Sequence, residues 1–226
     1  MGDRKWGIGN REMFLQTENL EENGFVLIDE LEHKDLLPFI QKYMKAKTRY
    51  VVFYYFCNVF FLGLVGFLFT YGHDDSDYSL ANRFAHFSYG ALIAFALIPI
   101  HEYIHVLAYK SQGAQHTSYD VNWKKFYFMA LAHKFVANRK QFTVVALAPF
   151  TVITISFIIA FVFANTNWAM TFAATLLAHT AMCGGDFGLL SYFEFHKNKT
   201  IVTYDDIHEK KSYFYEKKNE NGNEKF

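Results

Sequence analysis

His101, Glu102 and His105 stand in the order H-E-x-x-H within "IPIHEYIHVLAYK", residues 98–110. On an α-helix, residues four apart lie one turn apart on the same face, so both imidazoles can reach one metal ion. Glu102, next to the first histidine, can then take the proton from a water that the ion activates. The competing reading is a chance match, with the histidines bonded to neighbouring polar groups. A catalytic zinc also needs a third protein ligand and an open coordination position. Asp186, in "CGGDFG", is the candidate for that third ligand. Its own alternative is a cap on a broken helix or a partner for a cation. His179, at i−7 from Asp186, shares its helical face with Cys183 at i−3. It could ligate the metal in place of Asp186, orient a ligand from behind, stabilise the oxyanion, or simply hydrogen-bond a neighbouring helix. Cys183 reads as a small buried apolar residue. Glu194 is a weaker third-ligand candidate, and His86, fifteen residues before His101, is too far along the chain to join the group.

The elements that must hold these groups look membranous. Four runs, Tyr50–Tyr71, Phe84–Tyr109, Gln141–Phe163 and Trp168–Phe193, contain only Glu102 and Asp186 as formal charges. Each reaches the roughly 20 residues needed to cross the hydrocarbon core as a helix. Pro99 and Pro149 fall inside two of them, which membrane helices tolerate as kinks. Ionisable groups inside a span are costly and point to function. The expected fold is therefore an all-α polytopic membrane protein: four transmembrane helices (50–193) between an N-terminal segment (1–49) and a tail (194–226). The lipid bilayer is its first expected partner.

Flanking cations orient the spans. Lys42, Lys45, Lys47 and Arg49 precede the first. Lys110, Lys124, Lys125, Lys134, Arg139 and Lys140 lie between the second and third, and Lys197, Lys199, Lys210 and Lys211 follow the fourth. The other side offers Arg83 and the acidic stretch Asp74, Asp75, Ser76, Asp77. The positive-inside rule puts both termini in the cytoplasm. His105 and His101 then lie ~7 and ~14 Å along the helix from Lys110, and Asp186 lies ~12 Å from Glu194 at the same membrane face, so the three fall at one level.

The central loop, 111–140, contains aromatic and β-branched stretches that read as one or two short strands, whose edge could hold an extended peptide. His116 and His133 read as ordinary loop histidines. A short helix is expected around Glu30–Lys45, and the charged end of the tail reads as disordered. Gly184 and Gly188 make a small-xxx-small face for close helix packing. Charged residues are 19% of the chain, hydrophobic residues 52% and net charge zero, which gives no signature for nucleic acid. Cys57 and Cys183, both in apolar runs, argue against a disulfide framework.

The H-E-x-x-H at a helix end, the following loop, "ALAPF" and the aspartate of "GGDFG" resemble the zincin peptidase family of bacterial membrane proteins, relatives of site-2-type intramembrane metalloproteases. The resemblance covers roughly residues 85–193. It implies a zinc metallopeptidase with Asp186 as third ligand and a peptide or membrane-protein substrate. The site-2 pattern carries Leu-Asp-Gly where this chain has Gly-Gly-Asp-Phe-Gly. The alternative expectation is a membrane metal-binding or transport module without proteolysis. Polar groups along several spans and repeated halves would mark a transporter, and neither is found in the sequence.

Overall fold

The long uncharged apolar runs fold as helix, and two of them break, one at Leu97 just before Pro99 and one at Cys183 just before two glycines. The computed structural model describes residues 15–71, 76–122 and 127–218. Along the described residues run β1 (Phe25–Glu32), α1 (Leu36–Met44), α2 (Arg49–Thr70), α3 (Leu80–Ala96), α4 (Ile98–Ser111), β2 (Thr117–Asn122), β3 (Tyr127–Ala132), β4 (Ala137–Asn138), α5 (Arg139–Val162), α6 (Thr166–Met182), α7 (Gly184–Phe195), β5 (Ile201–Asp206) and β6 (Lys211–Lys217). Asp74, Asp75, Lys124, Lys125 and the end of the tail lie outside the described residues.

The expectation of four spans in an all-α chain is corrected. The described residues form seven helices and two sheets. Among the described residues, only α2 and α5 are each long and apolar enough to cross a membrane; α3 and α4 make a third span only if the pair, bent by 40°, counts as one. The second expected run is cut at Leu97. Pro99 has no N–H for the carbonyl of Phe95, and its ring crowds that carbonyl, so the helix bends there. The fourth run is cut at Cys183, whose ψ of 3° leaves the helix just before two glycines, which are poor helix formers. The flanking segments also contain strand. The hairpin β2–β3 lies in the central loop, and a four-stranded antiparallel sheet runs in the order β1-β6-β5-β4.

α6 is the middle of the helix bundle. Ala169, Met170, Ala173, Ala174 and Leu176 are each at most 7% exposed. Around it pack α2, α3 and α5. Gly90 of α3 sets the closest approach: a Cβ there would meet the Thr171 carbonyl oxygen at 2.4 Å and Ala174 Cβ at 2.6 Å. Thr175 Oγ1 donates to Gly90 O at 3.2 Å across the same contact. By contrast, α2 and α5 turn Phe56, Val59, Phe60, Val152, Ile155 and Ile159 outward, each at least half exposed.

Arg83, read as a lone cation on the far side, is buried. Its Nη1 donates to Phe69 O at 2.7 Å, a carbonyl in the last turn of α2 that the helix leaves unpaired, and its Nε to Tyr78 O at 2.9 Å in the turn before α3. At the opposite end, β1, β5 and β6 pack on α1, α5 and α7 through Leu31, Tyr43, Phe142, Tyr192, Ile201 and Phe214. Tyr192 Oη donates to Asp29 Oδ2 at 2.7 Å, tying α7 to β1. Gly188 faces α1 (a Cβ would meet Ile40 Cγ2 at 2.7 Å), and Gly184 faces Tyr54 of α2.

Candidate metal centre

Both helix breaks lie at one place. His101 is one turn into α4, its N–H bonded to Leu97 O at 2.8 Å, and Asp186 is in the first turn of α7. His101 Nε2 and His105 Nε2 are 3.1 Å apart. Asp186 closes the group, with Oδ2 3.3 Å from His101 Nε2 and Oδ1 3.2 Å from His105 Nε2. Bonds of about 2.0–2.1 Å in a tetrahedron place donors about 3.3–3.4 Å apart, so the three atoms are spaced as ligands of one zinc ion would be. Two imidazoles and a carboxylate also suit zinc chemically.

The outer nitrogens are held as well. His105 Nδ1 donates to Val145 O of α5 at 2.9 Å. That leaves His105 Nε2 with its lone pair toward His101 and Asp186. Val145 O would ordinarily accept from the N–H four residues on, but position 149 is proline and has none. Behind His101, His179 Nε2 lies 3.2 Å from Nδ1. His179 is 1% exposed and its Nδ1 has no hydrogen-bond partner among the described residues. Cys183 Sγ is 3.9 Å from His179 Nε2, so His101, His179 and Cys183 form a second group whose donors converge.

Glu102 is held from the loop. Its Oε2 accepts from the Ala130 N–H of β3 at 2.8 Å, leaving Oε1 as its other oxygen. β3 pairs with β2 along one edge and gives this N–H from the other. A cavity of about 100 Å³ extends from Glu102, His105 and Asp186 between β3 and the four-stranded sheet. On the other side a wider groove of about 400 Å³, lined by Leu37, Ile40, Phe95, Ile98 and Met182, reaches His101 and His179.

Of the residues singled out in the sequence, His101, Glu102, His105, Asp186 and His179 are brought together. Glu194 is not: it pairs with Arg49 and accepts from the Tyr50 N–H. His86 is bonded to Thr171 Oγ1 at 2.8 Å on α6. His116 and His133 line a separate cavity, and His133 stacks edge-on against His208. Sequence reasoning missed the Val145 carbonyl, the Ala130 N–H, Tyr109 and Asp205. Pro149 was the one signal for the first of these. The others depend on strand pairing, which no local pattern shows.

Comparison with curated proteins and with solved structures returned no match. Residues 94–201, which carry His101, Glu102, His105, Pro149, His179 and Asp186, match the family model described as "Putative zincin peptidase" over a little under half of the chain, and this supports a zinc peptidase of the zincin type.

Proposed function

We propose that the chain is a membrane-embedded, zinc-dependent peptidase, with His101, His105 and Asp186 as metal ligands and Glu102 as general base. The observation that carries the reading is the convergence of the three donor groups, each pair 3.1–3.3 Å apart, beside a carboxylate fixed by Ala130. Zinc, when bound, would polarise the scissile carbonyl and make the attacking water more acidic. Glu102 Oε1 takes the proton from that water and returns it to the leaving amine, while the Ala130 N–H holds Oε2 still. Val145 O and His179 fix the orientation of the two imidazoles. The free edge of β3 is where an extended substrate would lie, as a peptide that unwinds before cleavage.

Two or three helices apolar enough to cross a membrane, with large apolar side chains turned outward on α2 and α5, support insertion. The flanking lysines and arginines favour a multi-pass protein of the cell membrane with the N-terminal segment and the cleaved bond at the cytoplasmic face. The kinship with site-2-type enzymes belongs to the same reading. Glu102→Gln tests it: peptide hydrolysis by the purified chain is lost while zinc stays bound. Hydrolysis undiminished in that variant would falsify the base assignment, and zinc binding without peptide hydrolysis by the wild type would favour a metal-binding or transport module.

A further inference from the structure

The cavity beyond the metal centre is built unevenly. Its walls include Leu31, Phe142, Val145 and Phe214, and Thr203, Asp205 and Ser212 of β5 and β6 add polar groups to the lining. Its volume of about 100 Å³ exceeds the roughly 10–15 Å³ that one water needs, and suits a single side chain. Glu102, Asp186 and Asp205 line it, and no lysine or arginine does among the described residues.

Asp205 lies on β5 opposite Ser212 of β6, whose hydroxyl donates to Oδ1 at 2.6 Å. The Ala132 N–H is a further donor, and His33 lies within electrostatic reach. His33 itself is bonded through Nδ1 to Asp120. Burial holds the Asp205 carboxyl above the ordinary aspartate range, so its charge is incompletely offset. Tyr109, one helical turn after His105, is the second observation. It is 7% exposed, it lines the cavity, and Asp205, Asp186 and Glu102 all lie within its electrostatic reach.

Resting on the peptidase reading of the adjacent metal centre, we propose that this cavity is a specificity pocket for a cationic side chain, lysine or arginine, on a substrate residue next to the cleaved bond. Asp205 is its counter-ion and Tyr109 Oη accepts a further hydrogen bond. The apolar walls take the methylene stem and the acidic groups take the charge. Asp205 lies outside the segment that matches the family model.

The test uses the zinc-loaded full chain in detergent and two probes, arginine amide and norleucine amide. They share an α-amino group and differ in side-chain charge. Calorimetry is expected to show arginine amide binding at least tenfold more tightly to the wild type. In Asp205→Asn, which keeps an acceptor for Ser212, the preference is expected to fall to about twofold or less, with zinc content unchanged. Equal affinities in the wild type, no binding of either amide, or an unchanged preference in Asp205→Asn overturns the pocket. A random peptide pool separates this from the peptidase reading. Cleavage without enrichment of lysine or arginine at the cut overturns the pocket alone. Absence of cleavage with the amide preference intact overturns the peptidase and supports the pocket.

Discussion

His105 and Pro149 are linked through one carbonyl. Val145 O accepts the Nδ1 proton of His105 at 2.9 Å, and Pro149 is why that oxygen lacks its usual helical donor. A residue that looks like a helix kink therefore serves His105, the proposed metal ligand on another helix. Pro149→Ala restores an N–H that competes for Val145 O. Zinc affinity is expected to fall about tenfold, the lower end for groups that orient a ligand. Competition with a chromogenic chelator measures it, and an unchanged affinity would show that His105 needs no help from Val145.

His179 stands behind His101 with one nitrogen engaged and the other without a partner. His179→Ala is expected to weaken zinc binding about 10–100-fold without abolishing it. Loss of zinc as complete as in His101→Ala would instead make His179 a ligand. Metal content across a range of free zinc distinguishes these outcomes.

Close approach of α3 and α6 at Gly90 leaves no room for a side chain. Gly90→Ala places a methyl against backbone and is expected to cost about 1–3 kcal/mol, read as a lower melting temperature in detergent. Gly66, with nothing within 4 Å of an added Cβ, is the control. Gly66→Ala is expected to be neutral, or stabilising by about 0.5–1 kcal/mol. Equal effects at both sites would contradict the packing described for α6.

Tyr192 ties α7, which carries Asp186, to β1 through Asp29. Tyr192→Phe leaves the Asp29 carboxylate without that donor, and a loss of about 1–3 kcal/mol is expected. Chemical denaturation compared with Asp29→Ala and the double variant measures the coupling. Strictly additive losses would mean that the bond contributes nothing.

The convergence of His101, His105 and Asp186 was legible in the sequence because H-E-x-x-H depends only on helical periodicity, and an aspartate in an otherwise uncharged run is conspicuous. Depth counted from Lys110 and Glu194 put His101, His105 and Asp186 at one level, and in the structure they lie together. The fold was less legible. Counting apolar residues does not show that Pro99 bends one run or that Gly184 and Gly185 interrupt another. It also does not show that α6 spends its apolar surface on other helices. The strands of the flanking segments escaped because β1 pairs with β6 across nearly the whole chain, and the register depends on partners about 190 residues apart. Asp205 escaped for the same reason: in sequence it is one acidic residue in a charged tail.

The most direct measurement is zinc binding by Asp186→Ala beside the wild type, with X-ray absorption at the zinc edge. The wild type is expected to hold one zinc with two imidazole nitrogens and a carboxylate oxygen at about 2.0–2.1 Å. Asp186→Ala is expected to lose the carboxylate and bind zinc at least a hundredfold more weakly. Full zinc content and an unchanged spectrum in that variant would contradict a centre shared by α4 and α7.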